Sequence, residues 1–449
     1  MPDGDGAPGR GPGADDGAPT VGGAGGRGAG GAPAAEADRR GRPRRRAFLT
    51  PFDGLLGQLR AAHGAAIYSL YPRIEETIGS GWVTVDGRRS VSLIANDYLG
   101  LSGDPRVRDA ARDAIVRLGS SRCASPLAGG YTAIHRALEH ELAEFLDQDA
   151  AVVFATGYQA NVGVISALMS PADLVVSDLL NHASIVDGAR LSGAQLRYFQ
   201  HNDPGHLDRI LASKDAGQRA LVVVEGVYSA DGDVVPLPEV CRVAHAHDAL
   251  VMVDEAHSLG VLGPQGRGAA AEHGMLDEVD VVIGTMSKSL GSVGGFAAAS
   301  TAVVDVIRHN ARSLIFSAAL PPASAEAART ALGILAGADE LRARLWDNAR
   351  ALLSGLASQG LDTMGSTTPV VPMLVGDPGT TLALTTALRD AGVLVCPAIP
   401  PMVQSHLSRI RMHVTAAHDA EGIDHALDAI AESTAAVGMA APEPAGAGR

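Results

Sequence analysis

Only two of the chain's 36 basic residues are lysines, Lys214 and Lys288. Lys288 stands in Gly284-Thr285-Met286-Ser287-Lys288-Ser289-Leu290-Gly291, directly after the apolar run Val281 to Ile283. An arginine stays protonated, whereas an ε-amine can lose its proton, attack a carbonyl and form a Schiff base. A sequence that writes arginine almost everywhere and keeps a lysine between serines and glycines points to that chemistry. Lys214, in the polar loop Ala212-Ser213-Lys214-Asp215, reads instead as a solvated surface group.

A second apolar run ends in a carboxylate, Val251-Met252-Val253-Asp254-Glu255-Ala256-His257. A strand-end aspartate is most often a helix cap, but a carboxylate and a Schiff-base lysine on neighbouring strand ends are what a pyridoxal 5'-phosphate site requires. The carboxylate keeps the pyridinium nitrogen protonated, which makes the ring an electron sink, and the lysine anchors and exchanges the aldehyde. Thr285 and Ser287 supply hydroxyls for the phosphate. The turn Thr156-Gly157-Tyr158-Gln159-Ala160-Asn161 opens a helix whose first amides could bind it. Taken alone, that turn and the loop histidine of Asn181-His182-Ala183-Ser184 would read as structural. Near the C-terminus, Arg409-Ile410-Arg411-Met412-His413 alternates with period two, so Arg409, Arg411 and His413 share one face. An arginine there could hold a substrate carboxylate in a bidentate pair, or the face could line a solvent-exposed edge strand.

The elements that must position these groups are legible as continuous apolar runs: 151–154, 174–177, 196–199, 221–224, 250–253, 281–283 and 296–299. Runs of this kind belong to a mostly parallel sheet covered on both faces, so the fold class is α/β with helices on both sides. In such sheets ligands gather outside the carboxyl ends of the strands, where these polar residues fall. Helices are expected at 105–118 and 132–146, the latter with Glu139, Glu141 and Glu144 on its polar side, and a long helical region at 323–359. A smaller α+β domain should follow, with strands at 370–375, 393–396 and 409–414 and helices at 380–391 and 420–436. The expected organisation is a disordered Gly/Ala/Pro/Arg-rich tail at 1–46 and an N-terminal segment at 47–100, with a helix-like stretch and a hairpin at 82–87. A large domain at 101–322, the smaller domain at 323–436 and a disordered tail at 437–449 complete it.

A formal charge of -14 argues against a general nucleic-acid binder. No apolar run reaches the length of a membrane span. Cys123, Cys241 and Cys396 are too few and too scattered for a disulfide framework or a zinc site, and a reducing cytoplasm fits best.

From Asn96 to about His418 the chain resembles the α-oxoamine synthases, fold-type I pyridoxal phosphate enzymes. The matching blocks are Asn96-Asp97-Tyr98-Leu99-Gly100-Leu101, Thr156 to Asn161, Asn181 to Ser184, Glu225 to Asp233, Val253 to Gly260 and Gly284 to Leu290. The resemblance implies that Lys288 carries the cofactor, Asp254 partners its ring nitrogen, His182 stacks on the ring, and His257, with Ser229, hydrogen-bonds its phenolic oxygen. Gly157 and Tyr158, through their amides, with Thr285 and Ser287, would hold the phosphate. Arg411 would bind the substrate carboxylate, and Asn96 would lie near the substrate. It further implies a homodimer that condenses a small amino acid (glycine, alanine or serine) with an acyl thioester, on CoA or an acyl-carrier protein. Carbon dioxide is lost and an α-amino ketone is formed.

Three stretches depart from the family pattern. Ser125-Pro126 stands before Gly129-Gly130-Tyr131 and His135 where a Ser-Arg pair is usual, with the arginine displaced to Arg122. Ala318 and Ala319 stand where relatives often carry hydroxyls, and the loop Pro400 to His406 differs from the biosynthetic members. Pyridoxal phosphate alone does not select the reaction, so an aminotransferase, a lyase or a non-catalytic partner of the same fold are the alternatives. Retention of Lys288, Asp254 and His257 together argues against the last.

Overall fold

The computed structural model describes residues 71–79 and 81–439. The tail expected at 1–46, the helix-like stretch before residue 71 and all but the first three residues of the tail expected at 437–449 lie outside the described residues; Val437 and Met439 pack against the smaller core. Three strands come first: β1 (Ile74–Gly79), β2 (Trp82–Val85) and β3 (Arg88–Ser92). Asp86-Gly87 joins β2 to β3 with φ of 50° and 72°, the left-handed pair that a two-residue hairpin turn needs.

The central sheet is built from β4 (Ala150–Phe154), β5 (Leu174–Asp178), β6 (Gln195–Phe199), β7 (Ala220–Glu225), β8 (Ala249–Asp254), β9 (Val281–Thr285) and β10 (Gly295–Ala299). The strand order is β4-β10-β9-β8-β7-β5-β6, and β10 alone runs antiparallel to its neighbours. Each strand falls on an expected run, extended by a residue or two. The reason for the continuous apolar runs is visible in β7. Val222 and Val224 enter one core with Leu138 and Leu142, while Leu221 and Val223 enter the other with Val164 and Ile185. Both faces are covered, so both faces of β7 are apolar up to its carboxyl end.

The C-terminal strands are β11 (Val370–Leu374), β12 (Val393–Leu394), β13 (Cys396–Ala398) and β14 (Arg409–His413). The single strand expected at 393–396 is two. Its first half pairs in parallel with β3, Val393 opposite Val91, and its second half pairs antiparallel with β14. Pro397 lies in β13 at the sheet edge, the place where a missing N–H is tolerated. The N-terminal hairpin thereby joins the C-terminal core, with Trp82, Val91 and Leu93 packed among Leu352, Leu388, Ile410 and Ile430. The expected helical region at 323–359 is likewise two helices, Pro322–Leu335 and Asp339–Ser358. Ala325, Ala328 and Ala331 of the first belong to the large core, and Ala349, Leu352 and Leu356 of the second to the smaller one. Neither helix, nor any other among the described residues, is long and apolar enough to cross a membrane.

Two further expectations are corrected. Glu139 is not on a solvated face: Val153 N donates to its Oε1 at 3.0 Å, Tyr131 Oη to its Oε2 at 2.7 Å, and Arg308 pairs with it. A buried carboxylate satisfied this way ties the helix Ala133–Phe145 to β4. β14 is the middle strand of its sheet, ordered β11-β14-β13, so its arginine face is not a solvent-exposed edge. Arg409 is buried and pairs with Asp231 at 2.7 Å. The departures around Pro126 and Ala319 also meet. Ala319 N donates to Ala124 O at 2.9 Å, and His135 Nε2 lies 2.8 Å from Leu320 O. A side chain on Gly130 would approach Ala319 Cβ to 2.6 Å, so the turn can press against this segment only because both residues are small.

Candidate active site

β8 and β9 are adjacent and parallel, with Asp254 opposite Ile283, so Asp254 and the loop bearing Lys288 leave the sheet side by side. They open into a cavity of about 280 Å³ at the carboxyl ends of the strands. Gly157, Tyr158, His182, Asp254, His257, Thr285, Ser287 and Lys288 line it, eight of the eleven residues singled out from the sequence. Asn96, Ser229 and Arg411 do not. Ser229 contributes its carbonyl, which accepts from Arg411 Nη1 at 3.3 Å, and Arg411 Nη2 lies 3.8 Å from Cys396 Sγ. Arg411 still acts on the cavity through its charge, which lowers the pKa of Lys288, His182 and His257.

The floor is a hydrogen-bonded carboxylate. Asn161 Nδ2 donates to Asp254 Oδ2 at 2.7 Å and also reaches Ser184 Oγ at 3.0 Å, and Ala256 N donates to Asp254 Oδ1 at 3.0 Å. Ser184 Oγ lies 2.7 Å from His182 Nδ1, so one chain of bonds orients both His182 and Asp254. Glu225, at the end of β7 opposite Asp254, accepts from the His182 backbone N–H. Burial first, then the Asp254 charge, pushes Glu225 up to about 8. Burial likewise brings the Lys288 amine down to about 8, against the opposing pull of Asp254 and Glu225. Burial is the main reason that His182 is held below its ordinary value and His257 well below it.

At the other end of the cavity stands the N-terminus of the helix Gly157–Leu168, capped by Thr156, whose Oγ1 accepts from Gln159 N at 3.1 Å. The amides of Gly157 and Tyr158 remain in its first turn, where unpaired N–H groups and the helix dipole favour an anion. Thr285 Oγ1 and Ser287 Oγ sit 2.8 Å apart beside them. The Tyr158 side chain turns outward to Asp187, so only its backbone serves the cavity. Close approach here depends on glycine. A Cβ on Gly157 would lie 3.0 Å from Thr285 Oγ1, and a Cβ on Gly295 would lie 2.6 Å from Gly157 N. Gly295→Ala presses on backbone that cannot yield without moving the helix N-terminus. It is expected to destabilise the protein by about 1–3 kcal/mol and to weaken retention of a phosphate-bearing ligand, both measurable by thermal unfolding with and without pyridoxal phosphate.

The site therefore offers a dipole-backed N–H and hydroxyl cradle, a buried carboxylate and a lysine of lowered pKa. Phosphate, ring nitrogen and aldehyde of pyridoxal phosphate would each find a group of matching chemistry here. Asn161 and Glu225 were not singled out from the sequence. Asn161 is one turn beyond Gly157 on the same helix, and Glu225 ends its strand as Asp254 ends the next, so a repeated strand-end carboxylate was the available signal.

The sequence model of the family "Aminotransferase class I and II" matches residues 88–430. An 8-amino-7-oxononanoate synthase of Methylococcus capsulatus is 43% identical over 362 residues, 80% of this chain and 93% of that protein. A serine palmitoyltransferase of Sphingobacterium spiritivorum is 40% identical over 346 residues, 77% of this chain and 87% of its own length. Among solved structures, the Sphingomonas wittichii serine palmitoyltransferase superposes with a TM-score of 0.82 at 34% identity, covering 87% of this chain and 99% of that one. Matches over three-quarters of the chain or more, spanning the strands and loops that frame this cavity, establish that the protein belongs to the aminotransferase class I and II family and, within it, to the α-oxoamine synthases.

Proposed function

We propose that this protein binds pyridoxal 5'-phosphate and catalyses a decarboxylative condensation of a small amino acid with an acyl thioester, releasing a thiol, carbon dioxide and an α-amino ketone. The observation that carries this reading is the pairing of Asp254 and Lys288 on adjacent strand ends within one cavity. Bound there, pyridoxal phosphate supplies an electron-withdrawing ring that spreads the negative charge developed at the amino acid's α-carbon.

This chain's own residues do the rest. The amides of Gly157 and Tyr158, with Thr285 and Ser287, hold the phosphate. Asp254, fixed by Asn161 and Ala256 N, keeps a proton at the ring nitrogen. His182, oriented by Ser184 and Glu225, would cover the ring face, and His257, with Ser229, would hydrogen-bond the ring oxygen. Lys288 anchors the cofactor and then takes the α-proton at Nζ, a task suited to an amine brought down to about 8. Arg411 holds the substrate carboxylate, and Asn96 borders the substrate. The large exposed side chains Leu127, Val293 and Phe316 support a homodimer, and a cytoplasmic setting suits the three free cysteines.

The test is product analysis with glycine, alanine or serine against acyl-CoA and acyl-carrier-protein donors of varied length. At least one pair should release thiol and carbon dioxide in equal amounts and yield the mass of the α-amino ketone. Formation of a keto acid without thiol would instead make this protein an aminotransferase.

A further inference from the structure

We propose that Tyr98 is a positioning residue that fixes the tautomer of His257, so that His257 presents its Nε2–H, and not a lone pair, to the cavity. Tyr98 is fully buried, with its hydroxyl oxygen 2.6 Å from His257 Nδ1 and, among the described residues, no second partner within hydrogen-bond distance. It is strapped in place by its backbone: Tyr98 N donates to Asn96 O at 2.8 Å, and Ala416 N donates to Tyr98 O at 2.7 Å. A residue from the N-terminal segment and one from the C-terminal region thereby set the hydroxyl that addresses a side chain of the central sheet.

The direction of this hydrogen bond follows from counting protons. Burial raises the Tyr98 pKa, so the phenol keeps its hydrogen. If His257 Nδ1–H donated to Tyr98, the phenolic hydrogen would be left buried without an acceptor. If the phenol donates to Nδ1, both groups are satisfied. A neutral imidazole that accepts at Nδ1 carries its one proton on Nε2. A doubly protonated ring cannot accept at all, and the cation is further opposed by burial and by the charges of Lys288 and Arg411. His413 stacks beside His257, with ring centroids 6.1 Å apart and planes at 20°, so the ring has a neighbour that resists its turning over.

The consequence for catalysis rests on the reading above that His257 faces the ring oxygen of pyridoxal phosphate. An Nε2–H stabilises negative charge on that oxygen, whereas an Nε2 lone pair would repel it. The tautomer itself is independent of that reading, and it can be measured in protein freed of cofactor.

The experiment is nitrogen NMR of protein labelled at histidine with 15N, the His257 signals being assigned by their loss in His257→Gln. The wild type should show Nδ1 as an unprotonated and Nε2 as a protonated ring nitrogen. Tyr98→Phe keeps the ring and removes only the hydroxyl, so its two His257 signals should draw together as both tautomers become populated. In the loaded enzyme, Tyr98→Phe should lower kcat by about tenfold with little change in KM for the amino acid. A protonated Nδ1 in the wild type overturns the proposal, and so does a Tyr98→Phe spectrum identical to wild type. The wild-type spectrum alone decides the matter if the variant does not fold. Failure to bind pyridoxal phosphate would refute the functional reading while leaving the tautomer result standing.

Discussion

Lys288→Arg is expected to lower turnover by at least about 10²–10⁴-fold, the range associated with a positioned acid–base group, although it preserves the positive charge. The guanidinium stays protonated in any protein environment and can neither bond covalently to an aldehyde nor accept a proton. The native amine is different because it is buried: brought down to about 8, roughly one molecule in ten is neutral at pH 7. Two readouts separate this from simple misfolding. Borohydride reduction in the presence of pyridoxal phosphate should add the cofactor mass to the Lys288 peptide of the wild type and not to the corresponding peptide of the variant. Circular dichroism should show the same helix content in both. Activity within tenfold of wild type in Lys288→Arg would mean that only the charge is used.

Asp254→Asn is the second large effect, about 10²–10³-fold in kcat, the size seen when one preorganised electrostatic partner is removed. The substitution is close to isosteric. The asparagine carbonyl can still accept from Ala256 N, and Asn161 can rotate its amide, since its own Oδ1 has no hydrogen-bond partner among the described residues. The fold should therefore survive, with a melting temperature within a few degrees of wild type, while the ring nitrogen loses the anion that keeps it protonated. The two predictions differ in signature. Asp254→Asn should still take up the cofactor on Lys288 in the reduction experiment, and Lys288→Arg should not. A fully active Asp254→Asn enzyme would show that the ring nitrogen's charge is unimportant to this reaction.

Much of this site could be read from the chain because its chemistry is tied to strand ends. The continuous apolar runs announce a sheet covered on both faces, and the residue that follows such a run must emerge at the sheet's edge. Asp254, Lys288, Thr285 and Gly157 therefore lie at or just beyond the ends of the strands that the apolar runs mark. Glu225 carries the same signal at the end of β7. The errors elsewhere are of another kind. Glu139 matched the polar periodicity of its helix yet serves as a buried tie to β4, because Arg308, Tyr131 and Val153 N arrive from distant parts of the chain to satisfy it. The run 393–396 looked like one strand, yet it feeds two sheets, since its partners β3 and β14 lie far off in sequence.

The sequence by itself determined the fold class, the lysine and the carboxylate, because local periodicity and residue chemistry are properties of the chain. The tertiary structure alone decided which strands are neighbours, how far burial shifts Lys288 and Glu225, and that Tyr98 meets His257 across 159 positions. Desolvation and hydrogen-bond direction depend on everything that packs around a group, and no stretch of sequence contains that surrounding.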